Sequence, residues 1–219
     1  MVSIDRSAVA RMAICSLIMF AASHSFANNL IPLLDITSGR NVCCTLADAE
    51  AGWAFHIDSP LTIAAIGLWD EGNQPLNIAH DIGLWRSDQT LLWVATVNNS
   101  SIPVASASPD GQWLFTEIPL LHLDPGDYVL AAFWGGADIG SDYFQTQANA
   151  VTTGIQYSAS CAKFQLASPD LVFPDCGGGS LNDASYFGPN LAVITPEPGS
   201  LILLGTGVLG LVGTLRRMR

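Results

Sequence analysis

The chain has 219 residues, with 19 Asp and Glu against 8 Lys and Arg, and its formal net charge is −11 at pH 7. Such an acidic surface repels phosphate backbones, so nucleic acid is excluded as a partner. Only Arg40, Arg86 and Lys163 are basic within residues 28–194, a stretch long enough for one domain with its own core.

Residues 1–27 have the pattern of a secretory signal peptide. Arginines precede an apolar run over residues 12–22, and Ser25 and Ala27 are small residues at the positions that a signal peptidase reads. We therefore predict that signal peptidase cleaves between Ala27 and Asn28. An uncleaved membrane anchor is the alternative, and it would need a longer apolar run.

Residues 28–194 consist of short apolar runs separated by turn signals. The side chains of Trp53, Phe55 and Ile57 alternate with smaller or polar ones, as in a strand with one buried face. We predict further strands at residues 61–69, 78–85, 91–97, 112–118, 128–134, 155–164 and 191–194. We expect loops or irregular structure at residues 28–50, 70–75 and 98–111. No amphipathic helix pattern interrupts the series, so the sequence predicts an all-β fold, an antiparallel β-sandwich or jelly roll.

Several short motifs within this stretch resemble a family of bacterial extracellular β-sandwich domains of unknown function. They are Gly52-Trp53-Ala54-Phe55, Ile66-Gly67-Leu68-Trp69-Asp70, His80-Asp81-Ile82-Gly83-Leu84-Trp85, Thr90-Leu91-Leu92 and Pro125-Gly126-Asp127-Tyr128-Val129-Leu130. The similarity covers about residues 50–135, and the family occurs in surface proteins. It implies the same fold and an extracellular location, and it brings no catalytic residues to this chain.

Cys43, Cys44, Cys161 and Cys176 follow the predicted signal peptide. An even number of cysteines in an exported chain indicates disulfides. Because a bond between the neighbours Cys43 and Cys44 would be strained, the spacing favours two long-range bridges to Cys161 and Cys176. A four-thiolate zinc site is the alternative, but adjacent cysteines lack the spaced pairs that such sites use.

Oxygen-bearing side chains cluster around the predicted loop at residues 70–75. Asp70, Glu71, Asn73 and Asp81 would supply oxygen ligands of the kind that Ca²⁺ prefers. A solvated acidic turn is the simpler interpretation, and we favour it. We therefore expect no cofactor, and Ca²⁺ at this loop stays as the alternative.

The histidines show no catalytic or metal-binding spacing. His80 and Asp81 lie in a strand pattern, where neighbouring side chains point to opposite faces, so we expect a structural role for His80. The sequence contains neither a Gly-x-Ser-x-Gly elbow nor a His-Glu-x-x-His motif, and we predict a protein that is not an enzyme. A glycosidase would need two carboxylates about 5–10 Å apart in a cleft, and the acidic residues are numerous enough to leave that alternative open.

The chain has 6 tryptophans, which are large enough to dominate a core. Exposed aromatic rings also stack on sugar rings, so these residues admit a carbohydrate-binding role. We expect most of them in the core. Trp69 or Trp134, close to the ends of predicted strands, are the better candidates for exposure.

The end of the chain consists of a proline-rich break, an uncharged apolar run and a basic terminus. The break at residues 195–198 cannot continue a helix or a sheet, because its prolines lack a backbone N–H. Residues 200–215 would form a helix roughly 24 Å long, short of a bilayer core of about 30 Å. Arg216, Arg217 and Arg219 follow, and basic flanks stay on the cytoplasmic side. Because flanking residues can adjust to a short span, the sequence still predicts a transmembrane helix, with the preceding chain outside the inner membrane. A buried helix of a soluble domain is the alternative, which the glycines of the run disfavour.

Pro196-Glu197-Pro198, the apolar run and the arginine cluster are together similar to the PEP-CTERM sorting signal of Gram-negative bacteria. The resemblance covers residues 195–219. It implies recognition by an exosortase, a membrane-embedded cysteine transpeptidase-like enzyme that cleaves near the motif. It also implies export linked to exopolysaccharide or a biofilm matrix. The same module carries the name ice-binding protein C-terminal domain, which is not evidence of ice binding.

The predicted organisation is a signal peptide at residues 1–27, an exported β-sandwich domain at residues 28–194 and a sorting tail at residues 195–219. We predict a non-enzymatic surface or extracellular-matrix protein. Its C-terminal helix anchors it in the inner membrane until an exosortase processes it, and it then reaches the cell surface or the matrix. The alternative is a carbohydrate-binding module for exopolysaccharide, with Ca²⁺ as a candidate co-ligand.

Overall fold

The computed structural model describes residues 29–43, 48–135, 145–164, 171–182 and 184–195. Leu30–Ile194 forms one compact unit. Several predicted features lie outside the described residues: the Ala27–Asn28 cleavage position, Cys44, the motif Pro196-Glu197-Pro198 and the arginines Arg216, Arg217 and Arg219. The described residues contain no helix that is long and apolar enough to cross a membrane.

Every regular element in the described part of the chain is a β-strand, so the predicted all-β class is confirmed. The strands are β1 (Asn29–Pro32), β2 (Leu34–Cys43), β3 (Ala49–Ile57), β4 (Leu61–Glu71), β5 (His80–Arg86), β6 (Leu91–Val97), β7 (Ile102–Ala105), β8 (Gly111–Leu123), β9 (Gly126–Trp134), β10 (Gln145–Thr152), β11 (Gln156–Lys163), β12 (Asp175–Cys176), β13 (Ala184–Ser185) and β14 (Pro189–Thr195).

The strands form two large sheets and one small sheet. The five-stranded sheet has the order β1-β14-β4-β8-β7, and the six-stranded sheet has the order β12-β11-β3-β9-β5-β6. A three-stranded sheet has the order β13-β10-β2. The described strand registers are antiparallel. Apolar side chains from all three sheets meet in one core, which gives the sandwich-like arrangement that the sequence predicts.

Large aromatic side chains occupy the centre of the core. Trp53, Phe55 and Ile57 are fully buried, which confirms the one-sided alternation predicted for this strand. On the opposing sheet the rings of Trp69 and Trp113 pack edge to face, with centroids 5.1 Å apart. The indole N–H of Trp53 donates to the backbone oxygen of Pro189 at 2.6 Å, so the polar atom of this buried ring is satisfied across the sandwich.

The predicted irregular segments are wrong in several places. Residues 28–50 contain β1, β2 and the start of β3, and residues 98–111 contain β7. β4 continues to Glu71, into the predicted loop, and β10 lies where no strand is predicted. β2 and β10 are rich in polar residues, and what holds them is pairing with each other from Leu34↔Thr152 to Cys43↔Gln145. Strands that are held mainly by such pairing show little hydrophobic periodicity, so the sequence does not predict them.

Asn190 fastens the small sheet to the five-stranded sheet. Its side chain is fully buried in β14, and its amide nitrogen donates to the backbone oxygen of Leu34 in β2 at 2.5 Å. Its amide oxygen accepts from the backbone N–H groups of Leu34 at 3.2 Å and Leu191 at 2.8 Å. One side chain thus satisfies main-chain groups of two strands in different sheets.

We expect Asn190→Ala to lower the free energy of unfolding by about 2–4 kcal/mol, because it leaves buried main-chain groups of Leu34 without partners and creates a small cavity. Urea unfolding followed by tryptophan fluorescence measures the change. Asn149→Ala is the matched control, since Asn149 is exposed and its side-chain nitrogen donates to the hydroxyl of Ser38 at 2.9 Å. Equal losses in the two variants would contradict this role of Asn190.

Candidate functional site

The candidate site lies on the outer face of the six-stranded sheet, opposite the core. Strand alternation turns Glu50, Gly52, Ala54 and His56 away from the core side chains Trp53, Phe55 and Ile57. In the antiparallel register with β9, these four residues stand opposite Phe133, Ala131, Val129 and Asp127. Residues directly opposite each other share a face, so small side chains form the middle of this surface and Asp127 and His56 form one end of it.

Residues 171–176, called here the covering segment, lie on this outer face. Phe173 packs edge-on against the ring of Trp85, with centroids 6.2 Å apart and an interplanar angle of 90°. Trp85 lies so close over Gly83 that a Cβ on Gly83 would come within 2.1 Å of the ring. Cys176 ends the segment and forms a disulfide with Cys161, its register partner on β11. The segment is therefore fixed to the sheet at both of these points.

The predicted long-range bridges from Cys43 and Cys44 to Cys161 and Cys176 are wrong. Cys161 and Cys176 pair with each other, because β11 and β12 are antiparallel neighbours that place their Cα atoms 4.0 Å apart. Their sulfurs are thus not free to join a four-thiolate zinc site. The glycines after Cys176 are also held, since Gly177 N–H donates to Ser160 O and Ser160 N–H donates to Gly178 O.

A groove of about 360 Å³ opens between the covering segment and the sheet. Ala54 and Val129 form its floor, Phe173 and Cys176 form one wall, and the polar groups of Ser87, Ser158 and Asp127 lie along it, beside Phe55 and Tyr128. A second depression of about 380 Å³ shares Ser87, Asp127 and Tyr128 with it. This depression continues to Arg86, Asp88, Asp124, Pro125 and Gly126.

Hydrogen bonds and a bulge set the polar groups of the groove in place. Asp127 accepts from His56 Nδ1 through Oδ1 at 2.7 Å, so one carboxylate oxygen carries this bond. The backbone oxygen of Asp127 accepts from the N–H of Ser87 at 3.0 Å, which holds the β5–β6 turn beside β9. Ser158 is the extra residue of a β-bulge between Tyr157 and Ala159, and such bulges redirect a side chain.

His56 is exposed and stands between two carboxylates. Its bond to Asp127 raises its pKa, and the more distant Asp58, at 3.4 Å from Nε2, acts in the same direction. Partial loss of solvent around the ring opposes the rise. The charged imidazolium is thus favoured at the end of the groove, where it offsets part of the negative charge of Asp127.

Glu50 is a buried carboxyl group beneath the covering segment. Its side chain is fully excluded from solvent. Burial raises its pKa to about 9; the nearby Asp81 adds to the rise and the backbone N–H of Val172 offsets part of it. Glu50 is therefore protonated at neutral pH, and the outer face carries no charge there.

The calcium candidates do not come together as a cluster. Asp70 is buried and accepts from Gln112 at 2.7 Å, and Glu71 accepts from the indole of Trp69 at 2.7 Å. Asp81 belongs to the other large sheet, where it accepts from Thr96 at 2.5 Å. Asn73 is an exposed turn residue with φ of 54°. No group of three or more Asp, Glu, His or Cys side chains in the described part of the chain is arranged to hold a metal ion.

The predicted exposure of Trp69 and Trp134 is wrong, since both are 1% exposed. Trp69 is buried because β4 runs beyond it to Glu71, so the strand does not end where its apolar run ends. Trp134 is buried beside the ring of His80, at a centroid distance of 5.4 Å. His80 itself is fully buried and contacts the backbone oxygen of Phe133 at 3.0 Å, which confirms its structural role.

Sequence reasoning missed the residues that line the groove. Asp127 lies in a motif that brings no functional residues with it, and Ser87 and Ser158 belong to no recognisable motif. Phe173 follows a stretch in which the strand pattern is lost. Cys176 is the one residue of the groove that the sequence singles out as a site residue, and its disulfide holds the end of the covering segment.

Comparison with known proteins finds a known motif in the C-terminal segment. Residues 195–217 match the family model of the PEP-CTERM protein-sorting motif. No curated protein and no solved structure shows significant similarity to the chain. The match confirms the predicted sorting motif, whereas the resemblance of residues 50–135 to an extracellular sandwich family stays a prediction. A PEP-CTERM motif implies export, sorting to the cell surface and processing by an exosortase in the membrane.

We expect Asp127→Asn to lower the pKa of His56 toward the ordinary value of 6.5, because the variant removes the main partner of the imidazolium. A raised histidine pKa stabilises the fold below the unfolded value and loses that effect as pH rises through the folded value. The variant should therefore be less stable than the parent in mildly acidic solution and equal to it above the folded pKa. NMR titration of the imidazole signals gives the pKa. Asp88→Asn is the control, and an unchanged His56 pKa in Asp127→Asn would contradict the assignment.

We expect the parent protein to lose stability as pH rises from about 4.5 to about 9, because the unfolded chain ionises Glu50 while the folded protein keeps it protonated. The slope from this group approaches about 1.4 kcal/mol per pH unit. Glu50→Gln should remove that slope, and its stability relative to the parent should rise steadily across this range. Chemical denaturation at several pH values measures it.

Glu117→Gln is the control for this experiment, since Glu117 lies exposed on β8. It should retain the slope of the parent protein. A Glu50→Gln variant with the same pH dependence as the parent would show that Glu50 ionises normally in the fold.

Proposed function

We propose that this chain is a non-enzymatic protein of the cell surface or extracellular matrix that works in association with exopolysaccharide. The observation that carries the proposal is the PEP-CTERM match at residues 195–217, because this motif implies export and surface sorting. In this proposal signal peptidase removes residues 1–27, and the C-terminal helix holds the protein in the membrane until an exosortase acts.

Features of the exported part support a stable binding or scaffold role. The Cys161–Cys176 disulfide suits an oxidising compartment outside the cytoplasm. Catalysis is not part of the proposal, since the sequence carries neither a Gly-x-Ser-x-Gly elbow nor a His-Glu-x-x-His motif.

Carbohydrate binding is the second candidate function. The groove beside Phe173 favours it, since an aromatic wall and polar groups converge there on a small apolar floor. Trp53, Trp69, Trp113 and Trp134 provide no comparable platform, because they are fully buried. Calcium plays no part in this version of the hypothesis.

Removing the exosortase of the native host should leave the protein at its unprocessed C-terminal length and shift it from the surface to the membrane fraction. Intact-mass measurement after cell fractionation reads out both effects. In a host with the enzyme, replacing Pro196, Glu197 and Pro198 together by alanine should have the same result. Replacing Ser100 and Ser101, in the Asn98–Ser101 turn, provides a control that should be processed normally. An unchanged mass and location in the exosortase-deficient host would overturn the sorting proposal.

A further inference from the structure

We propose that the groove between the covering segment and the six-stranded sheet binds neutral or amino sugars of a glycan chain and disfavours acidic sugars. This inference rests on the carbohydrate-binding candidate above, and it adds the site, the residues and the class of sugar. The groove volume of about 360 Å³ falls within the range of small-ligand pockets.

The floor and wall of the groove fit the apolar side of a sugar ring. Ala54 and Val129 are register partners on the outer face, so their short side chains leave a shallow trough beside Phe173. A pyranose ring presents C–H groups on its faces, and an aromatic ring offers them a flat, weakly negative surface. Phe173 is partly exposed and backed by Trp85, so its ring is held for such contact.

The polar groups along the groove fit the hydroxyl rim of the same ring. Ser87 and Ser158 can each donate and accept, and a carboxylate can accept from two neighbouring sugar hydroxyls. Asp127 uses Oδ1 in its bond to His56, and Oδ2 is the oxygen that we assign to the sugar. Hydrogen bonds to a charged group are stronger than neutral ones, so Asp127 is the main polar determinant.

The charge of this end of the sheet sets the class of sugar. Asp88, Asp124 and Asp127 line the joined depressions, against the basic residue Arg86 and the nearby His56. The local charge is negative within a chain that is itself at −11. A uronic acid would meet repulsion there, whereas a neutral sugar meets none and an ammonium group is attracted.

The site is built before any ligand arrives. The disulfide holds the wall of the groove, and the ring contact with Trp85 holds Phe173. Hydrogen bonds from His56 to the Asp127 side chain and from Ser87 N–H to the Asp127 backbone oxygen hold the polar groups. A fixed groove loses little conformational freedom on binding, which favours binding of a weak ligand such as an oligosaccharide.

The test is isothermal titration calorimetry of the purified, disulfide-intact protein with cellotetraose, a glucosamine tetramer and a galacturonate tetramer. We expect binding of the neutral and amino tetramers and none of the acidic one. Phe173→Ala should weaken both by about tenfold or more, and Asp127→Asn should weaken the amino tetramer most. Phe164→Ala is the matched control, since Phe164 is an exposed aromatic residue, 43% accessible, that does not line the groove.

Ser158→Phe provides a second test if truncation of Phe173 disturbs the fold. Ser158 is exposed in its bulge, so a large side chain there fills the groove without entering the core, and it should abolish binding. Equal binding by the parent protein and both groove variants would overturn the assignment of the site. Preference for the galacturonate tetramer, or absence of binding to all three, would overturn the class of sugar. The mass and location assay of the sorting proposal is independent of these outcomes.

Discussion

The two-residue alternation of β3 is the constraint on which the other features of this domain depend. β3 lies inside the six-stranded sheet and pairs with β9 from Ala49↔Trp134 to Ile57↔Gly126. A shift of one residue would exchange the faces and send Trp53 and Phe55 outward while bringing His56 into the core. The burial of these aromatic rings therefore fixes the register, and the register in turn fixes which residues form the outer face.

The outer face departs from the usual pattern, in which the second face of an antiparallel sheet meets water. Here the covering segment encloses part of it, and the disulfide and the Phe173–Trp85 contact keep that segment down. The enclosure has two consequences. Glu50, which would be ionised on an open face, is kept neutral by burial, and the space left beside the segment becomes the groove.

The sequence predicted what depends on local periodicity and missed what depends on distant pairing. The alternation of Trp53, Phe55 and Ile57 predicts a half-buried strand without any other part of the chain. The residues of the sorting motif are contiguous, so this motif was also recognised. β2 and β10 are polar strands that exist because they pair with each other, and Trp69 was misjudged because its strand runs on to Glu71. Asp127 and Phe173 line the same groove, and the register of β11 with β12 places Cys161 beside Cys176. The distance between these residues along the chain does not predict either contact.

The negative net charge of the chain bears on how a protein sorted to the cell surface can contact other polymers. A chain at −11 that is sorted to the cell surface is repelled by acidic polymers over a distance of roughly the Debye length, about 8 Å at physiological salt. In the proposed function, contact with a polysaccharide matrix is made where short-range forces exceed this repulsion. The proposed sugar site meets this condition, because stacking on Phe173 and hydrogen bonds to Ser87 and Asp127 would act within a few ångströms and need no positive charge on the protein. An acidic surface with a fixed neutral-sugar groove would thus hold a protein in a mixed polysaccharide matrix without binding every polymer in it.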